Sequence, residues 1–280
     1  MVENRPVFNI LSHIILILGV IVIVFPIYVA FIASTQASID IKDAPMSLLP
    51  GGNMWQNYST ALTEGITGGA SVNRMLQVSF IVAMGVALGK IILSLLAAFA
   101  LVYFRFPLRK TIFGLIFITL MIPVEVRISP TYDIVTKFNL INTYSGIILP
   151  LIASATATFL FRQFFMTVPH ELVEAARVDG AGPMRFFFDI LIPLSKTSIA
   201  ALFVIQFTYG WNQYLWPLLM KTTEEMSTIV VGIKLMIGTT DSTVDWGVVM
   251  ATAMIALVIP TIVVLVLQKW FVKGLIDTEK

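Results

Sequence analysis

Residues 169–195 read PHELVEAARVDGAGPMRFFFDILIPLS, a charged, helix-forming stretch between two apolar segments. Pro169 suits the start of a helix, and Glu171 and Glu174 complement the positive end of the helix dipole. Gly180 suits a left-handed stop, because glycine has no Cβ to oppose a positive φ. The stretch therefore predicts a helix, a turn and a second helix in a loop between two membrane spans.

The first helix of this loop combines small and charged residues. Ala175, Ala176 and Gly180 leave room for a second protein to approach closely, while Glu174 and Arg177 supply charge for docking. An ordinary amphipathic connector is the alternative interpretation. We expect a docking surface, because spacing, composition and membrane context agree.

The composition is that of an integral membrane protein. Of the 280 residues, 58% are hydrophobic and only 12% are charged, and the mean hydropathy is +0.91. A net charge of +2 gives no reason to expect nucleic acid as a partner. The chain has no cysteine and only two histidines, His13 and His170, so we expect no disulfide, no thiol nucleophile and no metal site.

Six segments are long and apolar enough to cross a bilayer core of about 30 Å. They are residues 13–33, 76–103, 110–123, 146–165, 198–219 and 247–268. The third is short and is expected to continue into 124–130, because Pro123 and Pro130 can kink a membrane helix without ending it. The prediction is an all-α membrane protein with six transmembrane helices in one domain, 1–280, and a helix-turn-helix loop at 169–195.

The orientation follows from the distribution of lysine and arginine between alternate loops. With both termini inside, the cytoplasmic side holds eleven basic residues and the outside holds six. The eleven are Arg5, Arg105, Arg109, Lys110, Arg162, Arg177, Arg185, Lys196, Lys269, Lys273 and Lys280. The six are Lys42, Arg74, Arg127, Lys137, Lys221 and Lys234. The loop at 169–195 is therefore expected to face the cytoplasm, where ATP is available.

The run Gly85–Ile91 resembles a phosphate-binding loop only faintly. Its spacing is one residue short, no Ser or Thr follows Lys90, and no strand precedes it. We expect the chain itself to bind no nucleotide, so an energy-driven function requires a separate ATPase.

Lys90 lies near the middle of the second predicted span. A lysine at that depth costs about 2.5–3.5 kcal/mol on insertion scales unless it faces protein or water. One interpretation is a structural lysine paired with a carboxylate or a backbone carbonyl at a subunit contact. The other is a cation beside the pathway of an anionic substrate.

Two further polar groups are candidates for the same pathway. Arg127, with Glu125 as a resting partner, lies at the outer end of the third span and can offer a bidentate fork to a phosphate or carboxylate. The alternative is a pair of interfacial residues that reach to water. Asn212, in Gly210–Tyr214, is either a helix-packing residue or a pore-lining one.

The chain resembles ABC-importer permeases of the carbohydrate, or maltose-transporter, class. The residues that carry the resemblance are Glu174-Ala175-Ala176 with Gly180 and Ile190-x-Ile192-Pro193, where leucine is usual in place of Ile192. Further matching segments, in the family's order, are PMSLLPGGNMWQNY (45–58), FRF (104–106), Trp211-Asn212, Asp245-Trp246-Gly247 and residues 268–274. The resemblance implies that Glu174, Ala175, Ala176 and Gly180 contact an ATPase, with Lys273 and Gly274 as a secondary contact.

Within this family the chain is similar to the second permease subunit of sn-glycerol-3-phosphate importers. The segments are ENRP (3–6), FRFPLR (104–109), FITLMIPVEVRISPT (117–131), ATATFLFRQFFMT (155–167), GWNQYLWPLL (210–219) and IDTEK (276–280). The resemblance implies transport of sn-glycerol-3-phosphate or related glycerophosphodiesters across the bacterial inner membrane. It also implies a second permease, two ATPase subunits that use ATP and Mg²⁺, and a periplasmic binding protein.

Three other functions compete with this interpretation. A secondary transporter or channel would need a coupling-ion site, and the six predicted spans contain no buried carboxylate. A lipid-modifying enzyme would need a carboxylate pair, a histidine cluster or an activated serine, and none is apparent. A permease for a neutral sugar or polyol remains the alternative among importers.

Overall fold

The fold is described from a computed structural model, which covers residues 6–43, 45–64, 69–238 and 244–276. Every regular element in these ranges is a helix. The helices are α1 (Pro6–Ser34), α2 (Ser38–Lys42), α3 (Met54–Thr63), α4 (Val72–Tyr103), α5 (Arg109–Ile118), α6 (Val124–Lys137), α7 (Tyr144–Ile148), α8 (Ala155–Thr167), α9 (His170–Val178), α10 (Pro183–Phe186), α11 (Ile192–Leu194), α12 (Lys196–Trp211), α13 (Leu215–Met220), α14 (Ile229–Gly238) and α15 (Trp246–Ile276).

Four short segments of the described chain have tighter or wider helical turns. Three 3₁₀ segments cover Thr119–Met121, Leu149–Leu151 and Glu224–Met226. A π-helical segment, Phe187–Leu191, joins α10 to α11.

Among the described residues, three helices are long and apolar enough to cross a membrane unaided: Ile10–Ser34 of α1, Val72–Tyr103 of α4 and Trp246–Trp270 of α15. Three bent pairs pass the same test together. They are Arg109–Met121 with Val126–Lys137, Tyr144–Leu151 with Ala155–Thr167, and Pro183–Leu194 with Lys196–Trp211. Counting each bent pair as one crossing gives the six that the sequence predicts.

The bends differ from the sequence prediction. The third span does not continue through Pro123, because Ile122 before it is extended and the two helical pieces meet at 108°. The predicted span 198–219 is likewise interrupted after Trp211, and its helix resumes only at Leu215. The second of the bent pairs turns by 49° and the third by 74°.

The chain forms two compact units: residues 1–73 with 232–258, and residues 74–231 with 259–280. In the first unit, the end of α1 is tied to the following loop by buried polar groups. Asn57 donates hydrogen bonds to the carbonyl oxygens of Ser34 and Gln36, and Gln36 donates to those of Ser47 and Leu49.

The start of α15 joins this network. Ser38 donates to a carboxylate oxygen of Asp245, which also accepts from the backbone N–H of Val248. Gly247 lies so close that an added Cβ would stand 2.6 Å from the amide nitrogen of Asn57. The segments 45–58 and 245–247, which carry part of the family resemblance, thus belong to one packed polar network.

Two apolar clusters lie among the described residues of the second unit. One joins the ends of α4 and α8 to α9, α10 and α12, and it is rich in aromatic rings, with Phe99, Phe161, Phe165, Phe186 and Phe187 among its buried members. The other joins the N-terminal half of α4 to α6, α7 and α13. Gly85 and Gly89 of α4 serve this packing, because Ile148 and Ile152 occupy the space that a Cβ would need.

Candidate functional site

The loop at 169–195 has the predicted form of helix, turn and helix. Helix α9 follows Pro169, which stands at the N-cap, and Gly180 has a φ of +73°. The N–H of Gly180 donates to the carbonyl of Arg177, and that of Ala181 donates to the carbonyl of Ala176. This pair of bonds is a Schellman motif, so the predicted left-handed stop at Gly180 is confirmed.

The two faces of α9 have different neighbours. Glu174, Ala175 and Gly180 are exposed, so a second protein can reach them. Ala176 is only 4% exposed and packs in the aromatic cluster of its own chain. The sequence predicts Ala176 on the docking surface, whereas the phase of the helix turns it inward, where it anchors the loop.

The second helix of the loop is anchored by aromatic rings. The rings of Phe187 and Phe99 lie 4.8 Å apart, and those of Phe186 and Tyr103 lie 5.3 Å apart. Tyr103 also donates a hydrogen bond to the carbonyl of Phe165. Because Phe99 and Tyr103 belong to α4, the loop packs directly on that helix.

Lys90 lies inside the second unit, with only 6% of its surface exposed. Its Nζ donates a hydrogen bond to Gln206 Oε1 at 3.0 Å and lies 3.5 Å from the centre of the Tyr209 ring. Both partners belong to α12. The sequence predicted a carboxylate or a backbone carbonyl as the structural partner, whereas the structure provides a neutral side-chain amide and an aromatic face.

The approach of α4 and α12 fixes these contacts. Gly210 follows Tyr209, and a Cβ on it would stand 2.9 Å from the Cα of Ala83 and 3.3 Å from the Cβ of Val86. Gln206, Tyr209 and Gly210 share one face of their helix because residues three and four apart are neighbours. The position of Lys90 relative to Gln206 and Tyr209 is therefore set by close packing of the two helix backbones at Gly210 and Ala83.

Among the described side chains, neither Arg127 nor Asn212 shares a hydrogen bond or an ion pair with Lys90. Arg127 is exposed on α6. Asn212 is exposed where α12 ends. The side chains of Glu125 and Lys273 and the surroundings of Gly274 lie outside the described residues, although the helical backbone of α15 includes positions 273 and 274.

Sequence reasoning missed Gln206 and Tyr209. A signal was present in Gln206, which is a polar residue among the apolar residues of α12. Polar side chains inside membrane helices commonly bond to a neighbouring helix. The sequence gives no means of pairing Gln206 with Lys90, which is 116 residues away.

The chain matches the family model of binding-protein-dependent transport system inner membrane components over residues 90–277. It is 56% identical over 282 residues to the sn-glycerol-3-phosphate transport system permease protein UgpE of Rhizobium meliloti (strain 1021). It is 56% identical over 281 residues to the protein of the same name from Escherichia coli O1:K1 / APEC. In both comparisons the match covers 100% of each chain.

Among solved structures, the fold is similar to a chain of a bacterial ABC transporter involved in the import of the acidic polysaccharide alginate. The TM-score is 0.81, and the match covers 97% of this chain and 99% of that one. At 21% sequence identity the likeness shows the fold alone.

Proposed function

Because the chain belongs to the family of binding-protein-dependent transport system inner membrane components, we propose that it carries sn-glycerol-3-phosphate across the inner membrane as one permease of an ATP-driven importer. The observation that carries the choice of substrate is full-length identity to permeases named for that compound. The buried cation Lys90 supports an anionic substrate, because a neutral sugar supplies no charge to offset it.

The proposed complex also contains a second related permease, two ATPase subunits and a periplasmic binding protein. ATP and Mg²⁺ are used by the ATPase subunits. The present chain contributes the loop at 169–195, the coupling loop, which contacts them. Both termini lie in the cytoplasm, in keeping with eleven basic residues on that side against six outside. The full chain, 1–280, works as one transmembrane domain.

Coupling passes through the loop at 169–195. Glu174, Ala175 and Gly180 meet the ATPase, with the tail around Lys273 and Gly274 as a second contact. The exposure of the first three residues supports this role. Closure of the ATPase dimer moves the loop, and the aromatic contacts below it transmit that movement to the membrane helices.

The path from the loop to the lysine is continuous within one helix. Phe187 packs on Phe99 near the cytoplasmic end of α4, and Lys90 lies further along the same helix. A movement of the loop is therefore communicated to the substrate pathway through α4. We assign Lys90, Arg127 and Asn212 to that pathway, and we propose that the buried Lys90 binds the substrate within the membrane.

The decisive experiment is uptake by the complete complex in proteoliposomes supplied with binding protein and internal ATP. Labelled sn-glycerol-3-phosphate is compared with glycerol and maltose at equal concentration. We expect ATP-dependent uptake of the phosphate ester alone. Uptake of maltose or glycerol without the phosphate ester would establish the alternative, a permease for a neutral sugar or polyol.

A further inference from the structure

We propose that Lys90, Gln206 and Tyr209 form a preformed binding site for one oxyanion, with Gln206 and Tyr209 as its specificity-determining residues. This inference rests on the proposed function, because the oxyanion it assigns to the site is the phosphate group of the transported substrate.

The site has more hydrogen-bond donors than acceptors. A lysine ammonium has three N–H donors and no acceptor, while a glutamine side chain has an NH₂ group and one carbonyl oxygen. The carbonyl oxygen of Gln206 accepts from Lys90, which leaves its NH₂ group to donate elsewhere. Within the described ranges, the structure shows no acceptor for that group. Phosphate oxygens accept hydrogen bonds and carry the negative charge that the site lacks.

The positive charge of Lys90 is uncompensated by any carboxylate in the described part of the chain. Its two contacts are with an amide oxygen and the face of the Tyr209 ring, both of which are neutral. Burial of a charge beside neutral partners alone is unfavourable. An anion that binds next to Lys90 therefore forms an ion pair that no described side chain of the protein provides.

The site is rigid rather than assembled by the ligand. The face of α4 that carries Ala83, Val86 and Lys90 meets the face of α12 that carries Tyr209 and Gly210. Gly210 has no Cβ to hold the two helices apart, and Ala83 and Val86, which face it, are fully buried. A site held by helix packing loses little entropy when it binds, which favours recognition of a small, charged group.

The test is Gln206→Glu in the complete complex, with Gln77→Glu as the matched control. Gln77 lies on an exposed part of α4, so the control adds the same charge without reaching the lysine. In Gln206→Glu the new carboxylate pairs with Lys90 and occupies the place of the anion. We expect normal assembly, with uptake of sn-glycerol-3-phosphate lowered by about tenfold or more, the usual effect of losing a charge-assisted interaction.

A purely structural role predicts a different result. A carboxylate is a better partner for a buried lysine than an amide is, so a structural pair would tolerate or prefer Gln206→Glu. Uptake at the wild-type rate in this variant would overturn the proposal. If Gln206→Glu does not assemble, Gln206→Met decides, since the proposal expects an assembled complex with reduced uptake. Loss of assembly in both variants would assign the pair to structure and also overturn it.

Failure of this inference can be told apart from failure of the proposed function. If the wild-type complex imports no sn-glycerol-3-phosphate, the proposed substrate is wrong. If the wild-type complex imports it and Gln206→Glu imports it equally well, the substrate assignment is retained and the proposal of an oxyanion site is wrong.

Discussion

Gly210 of α12 lies against Ala83 of α4, and a Cβ added to the glycine would come within 2.9 Å of the alanine Cα. The obstructing atom belongs to a backbone, so it cannot move aside as the end of a flexible side chain can. This contact sets the separation of the two helices that carry Lys90 and its partners.

Gly210→Ala is therefore expected to destabilise the protein by about 1–3 kcal/mol through overpacking, and to separate Lys90 from Gln206. The thermal midpoint of the purified complex measures the first effect. Gly114→Ala is the matched control, because Gly114 also lies in a helix but a Cβ added there meets no atom within 4 Å. Equal midpoints for the two variants would show that the Gly210 contact has no influence on packing.

The coupling role of the loop predicts that Glu174→Lys and Gly180→Val uncouple transport from ATP hydrolysis while the subunit still inserts. The first reverses an exposed docking charge, and the second places a β-branched residue at a φ of +73°. Uptake and ATPase activity are measured on the same preparation. Gly182→Ala is the control, since Gly182 has an extended backbone and open space around it. Normal coupling in both variants would remove this loop from the mechanism.

The two candidate cations can be tested separately. Lys90→Met and Arg127→Gln are each expected to lower uptake of sn-glycerol-3-phosphate by about tenfold or more, because each removes a charge that a phosphate would meet. Assembly is checked by size-exclusion chromatography. If both variants assemble and transport at the wild-type rate, the two cations are structural, and the phosphate assignment depends on similarity alone.

The topology can be measured with single cysteines, because the chain contains none. Gly52→Cys is expected to react with a membrane-impermeant maleimide from the outside, and Lys110→Cys only after permeabilisation. Gly52 is preferable to Gly51, which packs against Thr35 and Gln36, whereas Gly52 is open. The reverse labelling pattern would place the coupling loop away from ATP and contradict the coupling mechanism.

Asn57 is expected to matter for the stability of the first unit. Asn57→Ala leaves the carbonyl oxygens of Ser34 and Gln36 without this donor, at a cost of about 1–3 kcal/mol for a buried group. Thermal unfolding and limited proteolysis of the complex report the loss. Gln56→Ala, which alters an exposed neighbour, should have little effect. A similar loss of stability in both variants would rule out a specific role for the buried hydrogen bonds.

The class of protein and the local form of its loop follow from the amino-acid sequence alone. Apolar length predicted six crossings, and the residues around Gly180 predicted where α9 stops. These features depend on each residue and its near neighbours along the chain, which a sequence displays directly. The resemblance added the family, because the order of several matching segments is also a property of the chain.

The contacts between distant side chains depend on how the helices pack. Ala176 was expected at the surface and is buried, because the rotation of α9 about its axis is set by Phe186, Phe187 and the helices beneath. Pro123 was expected to kink a helix and instead lies between two, because the backbone ahead of a proline favours an extended conformation. The meeting of Lys90 with Gln206 depends on the approach of two distant segments, and the packing of Gly210 on Ala83 fixes that approach.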